Sequence, residues 1–492
     1  MPRQLPLKGL TRDALTGFKG LACAGAYPRL RSTAAVLTTM TALAATSLIA
    51  GPSVAEPFSA QPCVLQRTDA HHSEGLDTWN AAYPRPSRAL DAVMIFLSFP
   101  DARPRSTPAA ITADHFPATT DFFARASYGR FTLRPHPLRN WIRMPRPSTE
   151  YVIQRDWSAA HRAAYLGDAL AAADRYVDFS RYDIVYFVAD PDAPGVDSDA
   201  TKVVNLDVPL HADGTDIRRV VTVFEKHPPD RLVLAHETGH VFDLPDLYHR
   251  PVDGKGDWDT YVGDWDLMGS QFGLAPDLFA WHKWKLGWLD PRQVVCVRGR
   301  GPTRLTLEPL GAHPSATAQA RADTDVDVDV DADADLTDSD RGTNANTSAH
   351  AGAKTDAGAG ADTGVSGAGG TGARAPVFGQ GDGVKLAVVR TGVDQVLAFE
   401  ARGATGNDRA TCKQGVLVYR VRGGTQSGGG PVEVIDAHPR TEACWEDSVY
   451  PPLADAPVAL GESFTVPGDD VRVEVQSRTH SGAWTVQITG AG

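Results

Sequence analysis

The chain has 492 residues, with 48 Lys and Arg against 60 Asp and Glu, so its formal net charge is −12 at pH 7. A chain of this length accommodates two or three domains, and its 42% of hydrophobic residues is enough to build globular cores. The acidic balance argues against a nucleic-acid-binding protein, which needs a basic surface to neutralise phosphates, and against a polybasic membrane-surface protein.

The first 55 residues have the pattern of a secretion signal. Arg29 and Arg31 precede a weakly apolar run from Ala34 to Ala50, and the small residues up to Ala55 are typical of a signal-peptidase site. A transmembrane anchor is the alternative, but the run is short and no basic flank follows it. The pattern therefore predicts a secreted protein without a stable membrane anchor.

Removal of this leader would take Cys23 away and leave an even number of cysteines, Cys63, Cys296, Cys412 and Cys444. An even number in an oxidising compartment favours two disulfides, for which three connectivities exist. We favour one bridge between Cys412 and Cys444 within a single domain. The other would then join Cys63 to Cys296 and hold the N-terminal segment.

Helices and strands are mixed in the part of the chain that follows. Continuous apolar runs predict buried strands at Ala92–Phe99 and Asp183–Val188. Helical patterns are predicted at residues 159–177, 231–242 and 279–286, and Pro245 follows the second of them. This mixture of predicted helices and strands indicates an α+β fold.

The second helix carries the motif H-E-x-x-H, formed by His236, Glu237 and His240. Two histidines four residues apart lie on one face of a helix and can bind a single Zn²⁺. Glu237 follows the first ligand, where a carboxylate can take a proton from zinc-activated water and deliver it to the leaving amine. Asp246 completes the spacing H-E-x-x-H-x₅-D, that of a metzincin with Asp as the third ligand.

The residues downstream favour the same interpretation. A thermolysin-like site needs a later Glu ligand, yet no Glu occurs between Glu237 and Glu308. Met268 lies in the segment Gly263–Ser270, as expected for the Met-containing turn beneath a metzincin zinc. The motif alone could also mark a structural helix with surface histidines, but this context argues against it.

Two further groups of residues are candidates for the site. Tyr248 and Tyr261 could stabilise the tetrahedral oxyanion beside the metal, with core or surface packing as the alternative for each. A Gly-punctuated acidic loop could bind Ca²⁺ through carboxylate oxygens, although its spacing fits no EF-hand. Its acidic residues are Asp253, Asp257, Asp259 and Asp264.

A disordered insertion and a β-rich region make up the rest of the chain. Residues from about 313 to 376 contain no aromatic residue and are rich in Asp, Ala and Gly, so they cannot bury enough apolar area to fold. After them, strand-like segments separated by Gly-rich turns predict a β-sandwich. Arg304–Glu308 would be its first strand, which places the disordered residues inside the sandwich domain.

At this point the sequence resembles the M6 family of secreted metalloproteases, the immune inhibitor A type. The resemblance extends from about residue 91 to residue 439. The motifs that carry it are His236–His240, Leu244–Tyr248, Trp265–Gly269 and Leu286–Leu289, with Phe99–Asp101 and Ala126–Phe131 upstream and Gly415–Val421 downstream.

The resemblance implies a bacterial secreted zinc endopeptidase in which His236, His240 and Asp246 bind zinc and Glu237 is the catalytic base. The implied organisation is a secretion signal (1–55), an N-terminal segment (56–85), a metzincin-like protease domain (86–295) and a β-sandwich domain (296–492). Members of this family are often calcium-stabilised, so the resemblance makes Ca²⁺ a candidate second ion beside the expected Zn²⁺.

One residue departs from the metzincin pattern, because Asp243 stands where that pattern has the Gly that permits the turn. Asp tolerates such backbone angles better than most residues. His249 is the alternative third ligand. Asp243 could instead be the acceptor that orients a ligand imidazole.

The sequence thus predicts a monomeric, secreted zinc metalloendopeptidase that acts on a protein or peptide substrate. The alternative is a secreted binding or adhesion module on a catalytically inactive protease fold. An intact Glu237 argues against this alternative, because a purely structural zinc site has no use for a base.

Overall fold

The structure is a computed structural model, and it describes residues 61–226, 230, 232–251, 256–299, 301–312 and 383–490. The predicted secretion signal and the predicted disordered insertion lie outside these residues. The chain divides into two units, Met1–Pro57 and Phe58–Gly492, and every element below belongs to the second. No helix of the described part is long and apolar enough to cross a membrane.

The first sheet has six strands and occupies the region before the H-E-x-x-H motif. The strands are β1 (Ala89–Ser98), β2 (Thr132–Pro137), β3 (Ile142–Arg143), β4 (Ile184–Ala189), β5 (Lys202–Ala212) and β6 (Thr215–Val223). Their order is β2-β1-β4-β6-β5, with β3 beside the end of β1. All pairs are parallel except β5 with β6, so β5 is an antiparallel edge strand.

Helices cover both faces of this sheet. They are α1 (Pro108–His115), α2 (Ala118–Ala126), α3 (Ala159–Ala173), α4 (Val233–Val241) and α5 (Ala280–Lys285). Successive residues of a strand point to opposite faces. Accordingly, β1 buries Met94 and Phe96 in one core together with α2 and α4, and Ile95 and Leu97 in a second core together with α3.

Two further sheets form the C-terminal part. A five-stranded sheet has the order β12-β11-β10-β9-β7 and a four-stranded sheet the order β13-β14-β15-β8. Their strands are β7 (Val294–Val297), β8 (Pro302–Leu307), β9 (Leu386–Arg390), β10 (Gln395–Arg402), β11 (Gly415–Arg422), β12 (Val432–Val434), β13 (Ser463–Thr465), β14 (Arg472–Arg478) and β15 (Trp484–Thr489). The two sheets pack face to face around one shared core.

The mixture of helices and sheets confirms the α+β class. Strands β1 and β4 and helices α3, α4 and α5 lie where the sequence predicted elements, with ends shifted by a few residues. Helices α1 and α2 and strands β2, β3, β5, β6, β7 and β13 were not predicted. Strand β5 shows why, because many of its side chains are partly exposed and it lacks a continuous apolar run.

The β-rich part packs directly onto the six-stranded part. The second face of the five-stranded sheet, including Val388, Ala398 and Tyr419, belongs to the same core as α4 and β1. Strand β7 crosses the boundary predicted at residues 295 and 296 and belongs to the five-stranded sheet. The two parts therefore share a core, with no exposed linker at this position.

Two disulfides and one backbone hydrogen bond join distant parts of the chain. Disulfides join Cys63 to Cys296 and Cys412 to Cys444, which confirms the pairing favoured from the sequence. The first ties the N-terminal segment to β7 across a separation of 233 residues. Glu308 N donates to Val384 O at 2.8 Å. The described residues before and after 313–382 therefore lie next to each other in the sandwich.

Candidate metal centre

Helix α4 carries His236, Glu237 and His240, all buried. The two histidines are one turn apart, so they lie on the same face of the helix. Between them, Gly239 lies against Met268, and a Cβ atom there would lie only 2.5 Å from the Met268 sulfur. A side chain at position 239 would therefore displace Met268, which packs against the helix between the two histidines.

Backbone carbonyls orient both imidazole rings. His236 Nδ1 donates to Leu267 O at 2.9 Å, and His240 Nδ1 donates to Leu244 O at 2.8 Å. A carbonyl only accepts hydrogen bonds, so each Nδ1 carries a proton and Nε2 is the ring nitrogen left to bind a metal. The two Nε2 atoms are 3.2 Å apart, so both face the same space.

The chain turns back after α4 and brings Asp246 to the two histidines. Its Oδ1 lies 3.0 Å from His240 Nε2 and 3.6 Å from His236 Nε2. This buried oxygen accepts no hydrogen bond within the described part of the chain. Ligand atoms about 2.0–2.2 Å from one tetrahedral ion lie about 3.3–3.6 Å from one another. The three atoms therefore fit a single divalent metal.

Asp243 forms the turn that makes this return possible. It has a positive φ of 66°, and Leu244 N donates back to Gly239 O at 3.2 Å. The Asp243 carboxylate accepts from Arg67 Nη2 at 2.6 Å and from His72 Nδ1 at 3.0 Å. The residue that replaces the expected Gly is thus held by two side chains of the N-terminal segment.

Burial and the neighbouring groups shift the pKa values of Asp243 and His72. Burial raises the pKa of Asp243, but the hydrogen bond from His72 and the charges of Lys285 and Arg67 outweigh it, so the pKa lies below its ordinary value. Burial lowers the pKa of His72 to about 4, despite the neighbouring carboxylate. Asp243 is therefore ionised at neutral pH and accepts from a neutral imidazole.

A buried network supports the turn that contains Met268. The Asp266 carboxylate accepts from Met268 N and Phe279 N, each at 2.7 Å, and from His282 Nδ1 at 3.1 Å. His282 Nε2 lies 2.9 Å from Glu74 Oε1. Burial alone would lower the pKa of His282, but Glu74 and Asp266 raise it to about 9. The charged ring connects the N-terminal segment to the Met268 turn.

The loop between β11 and β12 holds Asp246 from the other side. Ser427 Oγ accepts from Asp246 N at 2.8 Å and donates to Asp246 Oδ2 at 3.2 Å. Gly428 N donates to Asp246 O at 2.9 Å, and Arg250 N donates to Gly428 O at 3.2 Å. The third candidate ligand is therefore oriented by the β-rich part of the chain.

The Ser427→Ala substitution tests this support. It removes the hydroxyl that orients Asp246 Oδ2, so we expect about 10–100-fold weaker binding of a divalent metal, the usual effect of losing a hydrogen bond to a ligand. The measurement is competition with a chromogenic chelator. Ser477→Ala, on the exposed surface of β14, is the control and should leave affinity unchanged. Equal metal affinity of both variants and the unaltered chain would contradict the role of Ser427 in orienting Asp246.

Glu237 lies beside the ligands in a cavity of about 450 Å³, which His240, Asp246 and Tyr248 also line. Its Oε2 accepts from Val203 N at 2.6 Å, so edge strand β5 orients the carboxylate. Burial raises the pKa of Glu237 above its ordinary value, although the charges of the two imidazoles oppose the shift. A carboxylate with a raised pKa is suited to proton transfer near neutral pH.

The two candidate tyrosines occupy different places. Tyr248 lines the cavity, and its ring stacks at 6.3 Å on that of His236. Tyr261 does not line the cavity; its ring packs edge-on to His249 at 5.2 Å and lies against Gly430. Tyr248 is therefore beside the candidate metal group, whereas Tyr261 lies outside the cavity lining. His249, the alternative ligand, is likewise outside the candidate metal group.

The acidic loop proposed for calcium forms no metal-binding group among the described residues. Asp253 lies outside them. Asp264 is buried and accepts from Leu274 N at 3.1 Å and Ser448 Oγ at 2.5 Å, so it acts as a local anchor. Burial, with the charge of Asp257, raises the pKa of Asp259 to about 6.

Sequence reasoning missed a second His/Asp group, formed by Asp436, His438 and Asp455. Its imidazole is already occupied, since Nδ1 donates to Asp455 O at 2.6 Å and Nε2 lies 2.9 Å from Glu462 Oε2. Arg67, His72 and Ser427 were missed as well. The Asp at position 243 was a signal for Arg67 and His72, because a carboxylate in this turn needs hydrogen-bond donors; no such signal pointed to Ser427.

No protein-family model and no curated protein matches this chain.

Proposed function

We propose that the chain is a secreted zinc-dependent endopeptidase of the M6, metzincin-like type. The observation that carries the proposal is the convergence of His236 Nε2, His240 Nε2 and Asp246 Oδ1, beside a cavity that His240, Asp246 and Glu237 line. Two disulfides agree with an oxidising, extracytoplasmic compartment.

The ligand set favours zinc in a catalytic site. Two imidazoles and one carboxylate suit Zn²⁺, and structural zinc sites have four protein ligands, whereas catalytic sites have three and an open position. Within the described residues, the group contains only these three side chains. The missing fourth ligand and the adjoining cavity support a site that is open to substrate.

The chemistry follows from the positions of the side chains. A bound Zn²⁺ would lower the pKa of a water molecule and polarise the scissile carbonyl. The Glu237 carboxylate would accept the proton of the attacking water and pass it to the amine as the peptide bond breaks. The hydrogen bond from Val203 N keeps the carboxylate in place during both transfers. The Tyr248 hydroxyl, which hydrogen-bonds to Asp246, would turn from that carboxylate to donate to the developing oxyanion.

Strand β5 provides a means of holding the substrate. It is the edge of the six-stranded sheet, and its residues Lys202, Val203 and Asn205 line the cavity. An edge strand has unpaired backbone groups that can bond to an extended peptide. A peptide bound in this way would run past Glu237, which favours a protein or peptide over a small ester as substrate.

The test is cleavage of unfolded casein by the purified full chain. We expect cleavage that a zinc chelator abolishes and that equimolar Zn²⁺ restores, because the three ligands alone have no hydrolytic chemistry. Electrophoresis of the products gives the readout, and a parallel sample given Mg²⁺ after chelation is the control. A metal-loaded chain that leaves casein intact before and after limited trypsin treatment would overturn the proposal.

A further inference from the structure

The cavity beside Glu237 has an excess of positive charge apart from the metal site. Asp246 and Glu237 together balance the charge of one divalent ion. The remaining charged residues of the lining are Asp199 and three cations, Arg155, Lys202 and Arg250. We call these three cations the cationic wall. It is an unusual local feature in a chain whose formal net charge is −12.

Aromatic rings connect the cationic wall to the metal ligands. The Arg155 guanidinium lies 4.7 Å from the Trp258 ring, and that of Arg250 lies 5.9 Å from the Tyr248 ring. Trp258 and Tyr248 are 5.4 Å apart, and Tyr248 stacks on His236. Stacking on aromatic faces restricts the planar guanidinium groups. The cations are thereby held next to the reacting centre.

Among the described residues, the three cations of the cationic wall make hydrogen bonds and ring contacts rather than close ion pairs. In the described part of the chain, none of the three side chains forms an ion pair with a carboxylate, and Lys202 Nζ donates instead to the carbonyl of Arg155. Burial and the charges of Arg162 and Arg250 lower the pKa of Lys202, although the charges of Glu237 and Asp156 oppose the shift. Clustered like charges destabilise the free protein, so an anion that enters the cavity would relieve repulsion as well as form ion pairs.

We propose that the cationic wall is a specificity subsite for acidic residues, and that the enzyme prefers peptides with Asp or Glu close to the scissile bond. The inference rests on the proposed peptidase function. A carboxylate side chain would accept charge-assisted hydrogen bonds from Arg155, Lys202 or Arg250. A Lys side chain at the same place would add a fourth positive charge.

The test uses quenched fluorescent peptides that differ at one position. A parent peptide that is cleaved at a single bond is made with Glu, Gln or Lys at each of the two positions on either side of that bond. For at least one position we expect kcat/KM about tenfold higher for Glu than for Gln, or about 1.4 kcal/mol, and lower for Lys than for Gln. High salt should reduce the difference.

Variants of the cationic wall test whether these three side chains cause the preference for Glu. Arg155→Gln, Lys202→Gln and Arg250→Gln should each lower the Glu-to-Gln ratio, and Arg250→Lys should retain most of it. Arg472→Gln, on the exposed surface of β14, is the matched control and should leave the ratio unchanged. Equal rates for all three peptides at every position, or a ratio that none of the cavity variants lowers, would overturn the proposal.

If the chain is not a peptidase, none of the peptides is cleaved, which differs from equal cleavage of all three. The same peptides are therefore also titrated against the Glu237→Gln variant, with fluorescence anisotropy as the readout. Tighter binding of the Glu peptide than of the Lys peptide would support the subsite without any turnover. Equal binding of the two peptides would reject it.

Discussion

The Glu237→Gln variant is expected to lose about 10²–10⁴-fold of the peptide-hydrolysis rate, the usual contribution of a positioned general base, while it retains the metal. Gln has almost the same shape as Glu, and its amide oxygen can still accept the hydrogen bond that Val203 N donates to Oε2. It cannot accept a proton from water. Glu237 is not one of the three grouped ligands, so metal content should stay at one ion per chain.

Casein cleavage and metal analysis of the same preparation provide the two readouts. Glu446→Gln, an exposed residue of the β-rich part, is the matched control and should behave like the unaltered chain. Turnover by Glu237→Gln at the unaltered rate would remove Glu237 from the mechanism. An unaltered chain that binds zinc and peptides but has no activity to lose would favour the binding-module alternative.

The Asp243→Ala variant is expected to lower the free energy of unfolding by about 3–5 kcal/mol, as measured when one partner of a buried charge pair is removed. The substitution leaves His72 and Arg67 without the carboxylate that they contact. It also places a Cβ without a stabilising side chain at a φ of 66°, which costs about 1–2 kcal/mol. Because this turn leads to Asp246, metal affinity should fall as well.

Chemical denaturation and chelator competition measure the two effects. Asp121→Ala is the control, because this exposed carboxylate on α2 pairs with Arg125 at 3.7 Å and its loss should change stability by less than about 0.5 kcal/mol. Asp243→Gly separates the two causes, since Gly accepts a positive φ but lacks the carboxylate. The free energy of unfolding of Asp243→Gly should be about 1 kcal/mol higher than that of Asp243→Ala. An Asp243→Ala variant as stable as the Asp121→Ala control would contradict the anchoring role.

The parts of the site that the sequence predicted are those whose geometry is local. His236, Glu237 and His240 share one face of a short helix, and that periodicity is a property of any helix. Asp246 follows after a single turn. Continuous apolar runs identified β1 and β4 for the same reason, since a strand that is buried on both faces leaves a continuous hydrophobic pattern.

The sequence by itself thus determined the two histidines, the adjacent Glu, the α+β class and an even set of cysteines with a favoured pairing. Only the tertiary structure decided how Asp246 is held, which tyrosine reaches the cavity and that edge strand β5 borders it. Ser427 and Arg67 contact Asp246 and Asp243 across 181 and 176 residues of chain. Such contacts leave no periodic pattern, because they depend on the packing of three sheets and an N-terminal segment around one helix.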